Sequence, residues 1–436
     1  MSKLDPQSQR EFAVEVVRQL RDSGFQAYWA GGCVRDHLLG RTPKDYDVAT
    51  SAHPEDIRGV FCHRKTLAVG AAFGVMTVLG PRGAGQIEVA TFRQDVSYSD
   101  GRHPDRIAFS SPEEDAQRRD FTINGMFFDP LDGRIIDFVG GQTDLQQCLI
   151  RAIGNPHERF TEDKLRMLRA VRFAAIFNFR LEQSTLAAMS EMASQVTVVS
   201  AERIADEMRI TLVHPARVRA IRMLHATGLL AAILPEAAAV AKNEKWPRDL
   251  KSESEPLAMQ PTSKAAHTLD LLNTVQEPSF PLAMAILLHT APTKNLADTI
   301  DGRWKLARSE IERLSWLLAH QQSLAHARSM RWSQLQPLLI DEGADDLLKF
   351  HAAQAAMGLV DQQEVAYCRA QLERPLSELN PAPFVTGSDL LALGIPAGPV
   401  FARLLNAARE AQLDGTVADR HAALELIKSL WRDQKH

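Results

Sequence analysis

The spacing of apolar and polar residues changes once along this chain of 436 residues. Up to residue 150, short stretches that alternate with the period of a strand are interleaved with stretches of helical spacing. The residues between 79 and 86 predict a hairpin, and the polar stretch 94–106 predicts a loop. Strands are predicted at 25–30, 45–48, 74–79, 86–92 and 133–138, and helices at 11–23, at 34–39 and from 118 onwards.

Beyond residue 155 only the helical period remains. Thr161 is the predicted N-cap of a helix over 162–177. Polar segments that contain prolines, at 242–265 and 375–383, predict breaks between helical blocks. The expected fold class is therefore α+β, with a small mixed sheet and helices over 1–150 and helical segments over 151–240, 241–372 and 373–436.

The composition is typical of a soluble globular protein, with 45% hydrophobic and 24% charged residues. A net charge of −4 gives no overall basic field, so nucleic-acid binding would depend on a local basic groove. The first residues lack an apolar signal core, and no apolar run is long enough to span a membrane. Four scattered cysteines predict reduced thiols in a cytoplasmic protein rather than disulfides or a zinc site: Cys33, Cys62, Cys148 and Cys368.

The most specific pattern is the run 31–36 (GGCVRD), which is followed closely by Asp45 and Asp47. Gly31 and Gly32 allow the backbone to approach a bulky anion. Asp45 and Asp47 lie two apart on a predicted strand, so both carboxylates should point to the same face. Two hard carboxylates beside a phosphate-binding turn are typical of nucleotidyl transfer assisted by Mg²⁺, for which these aspartates are the candidate ligands.

Two further residues extend this candidate site. Sites that hold two metal ions commonly use a third carboxylate, and Glu88 on the strand 86–92 is the candidate. The alternative for Glu88 is a place on the exposed face of an edge strand. Arg35 has the planar fork that binds phosphate oxygens, and phosphate binding is favoured over the alternative, a surface ion pair with Asp36.

Together with these motifs, the runs 118–125 (RRDFTING) and 162–166 (EDKLR) resemble the class II, bacterial-type CCA-adding tRNA nucleotidyltransferase and poly(A) polymerase family. The resemblance is strong over 25–230 and weaker towards the end of the chain. It implies a polymerase β-like nucleotidyltransferase head followed by an all-helical neck, body and tail. CCA-adding members of this family add C, C and A to the 3′ end of tRNA from CTP and ATP without a nucleic-acid template. The implied partners are therefore tRNA, CTP and ATP, with no protein partner and no membrane.

The resemblance also implies roles for the run 118–125. Arg118, Arg119, Asp120 and Asn124 correspond to the segment thought to contact the ribose and triphosphate of the incoming nucleotide. Asn124 is expected to bind the ribose 2′-hydroxyl, and Asp120 is expected to hold an arginine in place. The alternative is a structural one, with an ion pair at the start of a helix and an asparagine inside it.

In this family the acidic residue and arginine at the positions of Asp163 and Arg166 select the base. Cytosine and adenine each present an amino donor beside a ring-nitrogen acceptor, which a carboxylate and a guanidinium complement. Uracil and guanine present the reverse order. The alternative is an i,i+3 salt bridge between Asp163 and Arg166 on a solvated helix. Arg169 and Arg172 follow at helical spacing and are expected to support the pair or to contact phosphate.

Several alternatives stay open within and outside this family. The stretch 93–109 resembles the flexible loop of CCA- and A-adding members, and 386–399 resembles the tail of many CCA-adding enzymes, so full CCA addition is favoured. An A-adding enzyme of a split system and a poly(A) polymerase share the same motifs. A non-enzymatic RNA-binding protein with a decayed site and a Mg²⁺-dependent glycosyltransferase are the hypotheses from other classes.

Overall fold

A computed structural model describes residues 5–62, 65–68, 73–98, 104–243, 267–292 and 295–433. The chain divides into two compact units, residues 1–257 and 258–436. The first unit combines a sheet with helices and the second is helical, which confirms the α+β class. The finer boundaries expected at residues 150, 240 and 372 stay predictions.

The first unit contains a seven-stranded mixed sheet and two short two-stranded sheets. The strands in the described residues are β1 Ala27–Ala30, β2 Asp47–Thr50, β3 Thr66–Leu67, β4 Val75–Leu79, β5 Gln86–Thr91, β6 Arg93–Tyr98, β7 Pro104–Phe109, β8 Phe127–Asp129, β9 Arg134–Ile136, β10 Leu149–Ile150 and β11 Arg180–Leu181. The large sheet has the order β3-β4-β5-β2-β1-β8-β9. Only β2 and β5 are parallel in it, and β4 and β5 form the predicted antiparallel hairpin.

Helices cover the sheet and continue the unit beyond it. Their bounds are α1 Pro6–Asp22, α2 Gly32–Leu38, α3 Pro54–Phe61, α4 Pro112–Gln117, α5 Gly141–Gln146, α6 Pro156–Glu162, α7 Leu165–Phe177, α8 Gln183–Met192, α9 Ala201–Val213, α10 Arg217–Ala226, α11 Leu229–Ile233 and α12 Pro235–Asn243. The apolar stripe of α1 is buried, and Ala13 on it accepts a hydrogen bond from the Trp29 indole of β1. On the opposite sheet face, Phe92 and Phe127 form a buried cluster with Ala116 of α4.

The register between β2 and β5 places Asp47 directly beside Glu88. Since neighbouring residues in register point to the same face of a sheet, the two carboxylates lie side by side. Glu88 is exposed, whereas Ile87 and Val89 on either side of it are buried against the other face. β2 begins at Asp47, so the predicted strand over 45–48 is displaced by two residues, and Asp45 lies in the preceding bend.

The loop predicted over 94–106 is wrong where the structure describes it. β6 and β7 form an antiparallel pair, and residues 99–103 lie outside the described residues. Two strands that pair with each other satisfy their own backbone hydrogen bonds, so a polar sequence does not exclude them. The helix predicted from 118 is also wrong, because Ser111 and Glu114 form a capping box that starts α4 earlier, and α4 ends at Gln117.

The helix predicted over 162–177 is interrupted. Thr161 lies inside α6 rather than at an N-cap, and Asp163 separates α6 from α7 with an extended backbone at φ −149° and ψ 105°. The Asp163 carboxylate accepts a hydrogen bond from the Leu165 N–H at 3.1 Å. Aspartate side chains compete in this way with the helical hydrogen bonds of the backbone, which explains the break.

The second unit is built from helices in its described residues. They are α13 His267–Thr274, α14 Phe280–Leu288, α15 Leu296–Trp304, α16 Arg308–His320, α17 Trp332–Ile340, α18 Ala344–Ala356, α19 Gln362–Leu372, α20 Leu376–Leu379, α21 Gly387–Ala392, α22 Pro399–Leu413 and α23 Arg420–Asp433. The apolar helix α14 is buried and packs against α13, α16 and α18. Of the helices described in the chain, none combines the length and apolar character required to cross a membrane.

We expect a buried histidine of this unit to make its stability depend on pH. His351 on α18 is fully buried, and its Nε2 accepts a hydrogen bond from the Leu324 N–H at 3.4 Å. Burial lowers the pKa of His351 to about 4 from its ordinary 6.5. The unfolded chain therefore takes up the proton first, so stability is complete above pH 6.5 and falls as the pH decreases towards 4.

Between about pH 6.5 and 5 the wild type should lose about 2 kcal/mol more stability than His351→Gln, which keeps an acceptor but does not titrate. The measurement is urea unfolding of the full chain at several pH values. His157→Gln is the control, because His157 is exposed and pairs with Glu191. Equal pH slopes for the wild type and His351→Gln would contradict the prediction.

Candidate active site

The paired glycines form a tight turn between β1 and α2. Gly31 has a positive φ of 72°, which favours glycine, and a side-chain carbon there would lie 3.1 Å from the Arg119 guanidinium. Its N–H donates to the Met126 carbonyl at 3.3 Å. The turn thus lets the backbone approach the cleft closely, as the sequence predicted.

Arg35 extends from α2 into the same region. Its Nε and Nη2 donate to Asp36 at 2.9 and 2.8 Å, and its Nη1 donates to the Asn124 side-chain oxygen at 2.7 Å. Its guanidinium carbon also lies 4.4 Å from the centre of the Phe177 ring. The ion pair with Asp36 exists, but Arg35 is only 8% exposed, so the pair belongs to a buried network rather than to the surface.

The carboxylates of Asp47, Glu88 and Asp45 face one another closely enough to interact. The pKa of Asp47 is raised to about 6, mainly by burial and also by the charges of Glu88 and Asp45, whereas Arg119 acts in the opposite direction. Repulsion of this kind is relieved when a cation binds between the groups. Because its charge acts on Asp47, Asp45 lies near Asp47, although Asp45 precedes the first residue of β2.

These carboxylates fit a hard divalent cation in the chemistry of their donors. Among the described residues, no group of three or more histidine, cysteine or acidic side chains could hold a metal ion. Mg²⁺ is commonly bound by one or two carboxylates, with water and substrate phosphates as the other ligands. A pair of aspartates is therefore sufficient on the protein side.

Asp115 was not recognised from the sequence, yet it holds two predicted site residues. Arg118 donates to its Oδ1 at 2.7 and 2.9 Å, and Arg119 donates to its Oδ2 at 2.9 and 3.2 Å. Burial alone would raise the pKa of Asp115, but Arg119 and Arg118 hold it below its ordinary value. The three- and four-residue spacing of a helix could have identified this carboxylate.

Asp120 has the structural place that the sequence suggested, since it binds an arginine. Arg169 of α7 donates to its Oδ2 from Nε at 3.0 Å and from Nη2 at 2.7 Å. The Asn124 amide donates to its Oδ1 at 3.2 Å. Burial would raise the pKa of Asp120, but Arg169 and the hydrogen bonds lower it. Asp120 and Asn124 therefore connect the α7 arginine to Arg35.

Asp163 and Arg166 do not form the alternative salt bridge with each other. Arg203 of α9 donates to Asp163 Oδ2 at 2.7 Å. Arg166 instead donates to Glu162 at 2.5 Å and to the Arg118 carbonyl at 3.2 Å. Asp163 is thus paired with Arg203, and Arg166 is paired with Glu162.

Arg172 lies three residues after Arg169 on α7. It pairs with Glu207 of α9 and stacks over the Phe173 ring at 4.3 Å. Arg203 and Glu207 were missed by the sequence analysis, because pairs between distant helices leave no local pattern. Glu162 was missed as well, although its place four residues before Arg166 could have identified it.

One cleft of about 530 Å³ brings most of these side chains together. This volume is within the range of about 300–1,000 Å³ for small-molecule sites. Six arginines and three aspartates are among the described residues that line it, so positive charge dominates. Asp45, Glu88 and Arg172 are not part of the lining, which is formed by Gly31, Gly32, Arg35, Asp47, Arg118, Arg119, Asp120, Asn124, Asp163, Leu165, Arg166, Arg169, Phe173 and Arg203.

A larger groove of about 1,210 Å³ runs along α1 and β4 and contains none of the predicted site residues. The smaller cleft is the candidate active site, since the glycine turn, an acidic strand end and a set of oriented arginines meet there. An arrangement of this kind suits a nucleoside triphosphate beside a metal-binding carboxylate.

Comparisons with known proteins agree with this geometry. Residues 27–151 match the family described as Poly A polymerase head domain, and residues 178–240 match the one described as Probable RNA and SrmB-binding site of polymerase A. The sequence is 32% identical to the CCA-adding enzyme of Levilactobacillus brevis over 95% of this chain and 96% of that protein. It is 46% identical to the CCA-adding enzyme of Enterococcus faecalis over 45% of this chain and 47% of that protein.

The structure is similar to the crystal structure of the Bacillus stearothermophilus CCA-adding enzyme in complex with CTP. The TM-score is 0.74 at 29% identity, covering 97% of this chain and 98% of that one. The Thermotoga maritima CCA-adding enzyme complexed with tRNA shares the fold, with a TM-score of 0.61 at 19% identity.

The head-domain match and the cleft define the class of protein, a nucleotidyltransferase of the poly(A) polymerase head type. The full-length similarity goes further, and the chain belongs to the family of CCA-adding enzymes. This confirms the family that the sequence motifs predicted. The nucleotidyl transfer that defines the class uses a divalent metal ion.

Proposed function

We propose that this chain adds C, C and A to the 3′ end of tRNA from CTP and ATP, with Mg²⁺ as the metal ion and no nucleic-acid template. The observation that carries the proposal is the cleft itself, in which Asp47, the glycine turn and the pair Asp163 and Arg166 line one space. Chemistry and base selection can therefore act on the same nucleotide.

In the proposed reaction the tRNA 3′-hydroxyl attacks the α-phosphate of CTP or ATP, and pyrophosphate leaves. Asp45 and Asp47 would hold the metal, with Glu88 as a further carboxylate in register with Asp47. When bound, the metal lowers the pKa of the attacking hydroxyl and neutralises charge on the phosphates. The close backbone approach at Gly31 and Gly32 leaves space for the triphosphate.

Arginines held in fixed orientations are proposed to bind the triphosphate. Asp115 orients Arg118 and Arg119, and the Asn124 side chain orients Arg35. Because these groups are positioned before the nucleotide enters, little reorganisation is needed as charge moves to the leaving group. The Asn124 amide uses one donor and one acceptor within the protein and keeps one of each for the ribose 2′-hydroxyl.

Asp163 and Arg166 are proposed to select the base. The Asp163 carboxylate accepts from the amino group of cytosine or adenine, and the Arg166 guanidinium donates to the adjacent ring nitrogen. Uracil and guanine would place a carbonyl against Asp163 and a ring N–H against Arg166. Neither group would then be paired, and unpaired buried groups are strongly unfavourable. Arg169 and Arg172 support this arrangement through Asp120 and Glu207.

The deciding experiment is extension of tRNA transcripts that end at the discriminator base, at C and at CC, with CTP and ATP. Completion of all three to CCA is the expected result. Extension of the CC transcript alone would identify an A-adding enzyme, and long A tracts would identify a poly(A) polymerase. Binding of tRNA without extension would identify an RNA-binding protein, and turnover of a sugar nucleotide would identify a glycosyltransferase. Within the stretch 93–109 that resembles the flexible loop, residues 99–103 lie outside the described residues.

A further inference from the structure

Four basic side chains from two separate segments lie close enough to interact, and we call them the basic corner. Arg41 and Lys44 lie between α2 and β2, and His214 and Arg217 lie where α9 ends and α10 begins. Arg217 is buried and donates to the His214 carbonyl at 3.2 Å, which fixes this end of α10. The Arg41 guanidinium carbon lies 5.2 Å from the centre of the Phe177 ring, which links the first segment to α7.

Three permanent cations of this corner, Arg41, Lys44 and Arg217, lie close to His214. Burial lowers the pKa of His214, and the positive charges of Lys44, Arg217 and Arg41 lower it further. Like charges repel, so a cluster of this kind is unfavourable unless an anion binds to it.

Two members of the corner also lack the carboxylate partner that each arginine of the cleft has. In the cleft, Asp36, Asp115, Glu162, Asp120 and Asp163 each pair with one or two arginines. Arg41 and Lys44 are exposed, and neither is ion-paired within the described residues. These cations are therefore available to a ligand from outside the protein.

The position of the corner identifies the class of ligand. None of its four members lines the cleft, whose arginines already suit the triphosphate of the incoming nucleotide. Lys44 nevertheless directly precedes Asp45, which the proposed function places at the reacting hydroxyl. An RNA primer must bring its 3′ end to Asp45 from outside the filled cleft, and its phosphodiesters are the anions that accompany that end.

We infer that the basic corner binds phosphodiester groups of the RNA primer close to its 3′ end, through Arg41 and Lys44 supported by His214 and Arg217. This inference rests on the proposed function, since it assumes that the acceptor is RNA. It adds a primer site, formed jointly by the segment before β2 and the start of α10, to the nucleotide site in the cleft.

The test is the double variant Arg41→Gln/Lys44→Gln. The matched control is Arg82→Gln/Arg134→Gln, which removes two exposed cations from the same unit, at the β4–β5 turn and on the edge strand β9. The substrate is a tRNA transcript that ends at the discriminator base, extended with CTP. Anisotropy of the labelled transcript without CTP measures binding separately from catalysis, and thermal melting checks that each variant is folded.

The expected result is a rise of about 10- to 100-fold in both the Kd and the KM for the transcript, with the KM for CTP and the kcat at saturation unchanged. The slope of log Kd against log salt concentration should decrease by about 1 to 2, because up to two phosphate contacts are removed. The control variant should behave as the wild type.

Two outcomes would overturn the inference. A rise in the KM for CTP with unchanged transcript binding would assign the corner to the triphosphate. Equal behaviour of the two double variants would show that the corner does not bind the primer. In both cases the wild type would still complete CCA, so the proposed function would stand. A wild type that extends no transcript would refute the proposed function as well.

Discussion

Asp47→Asn should lower kcat at least about a thousandfold, which corresponds to ~4 kcal/mol of transition-state stabilisation. The amide has nearly the same shape as the carboxylate but carries no charge to hold a divalent cation. Asp47 lies in the cleft and beside Glu88, and burial together with the charges of Glu88 and Asp45 raises its pKa, so a bound cation would stabilise its charged form. Single-turnover extension of a labelled transcript with CTP measures the effect.

Asp22→Asn is the control, because Asp22 is an exposed aspartate at the end of α1 in the same unit. CTP and transcript binding by Asp47→Asn should remain close to wild type, since the arginines of the cleft are unchanged. Retention of more than about a tenth of the wild-type rate would contradict a metal-binding role for Asp47. Glu88→Gln should lose less, because Glu88 does not line the cleft.

Asp163→Ala should reduce selection between bases. The kcat/KM for CTP and ATP should fall by about 10²–10³, because the amino group of each base loses its acceptor. The kcat/KM for UTP should change much less, since UTP offers no amino group to Asp163. The quantity to measure is the ratio of the kcat/KM for CTP to that for UTP, with the transcript that ends at the discriminator base.

Arg203→Gln should produce a smaller change in the same direction. Arg203 donates to Asp163 at 2.7 Å, so its removal leaves the carboxylate charged but less firmly oriented, with the hydrogen bond from the Leu165 N–H remaining. Arg203→Lys should restore part of the selectivity, as it restores the charge. Arg209→Gln is the matched control, because Arg209 lies on the same helix and pairs with Asp206. Loss of CTP addition in Arg203→Gln with an unchanged CTP to UTP ratio would show that Arg203 supports the fold alone.

The residues that contact the substrates in this proposal could be predicted because their motifs are local. The glycine turn, the aspartates two apart and the run 118–125 each depend on neighbours in the sequence, and most of them line one cleft. The strand periodicity likewise predicted the β4–β5 hairpin, since its turn residues are adjacent to its apolar strands.

The groups that orient these residues could not be predicted in the same way. Arg203 reaches Asp163 across 40 residues, and Glu207 reaches Arg172 across 35, so only the packing of α9 on α7 reveals them. The break at Asp163 was missed because apolar spacing continues through it, whereas the hydrogen bond of a single carboxylate decides the backbone there. The β6–β7 pair was missed because strand pairing does not require an apolar face.

The pairing of Asp120 with Arg169 determines how stable a shortened chain would be. α7 carries both the residue that neutralises Asp120 and, one turn further along the helix, the Phe173 ring that packs against Phe121 at 5.8 Å. A shortened product that ended before α7 would keep the acidic strand end but would leave Phe121 without its partner ring and Asp120 without Arg169, which is destabilising. Premature termination or proteolysis should thus yield an unstable fragment rather than an indiscriminate polymerase.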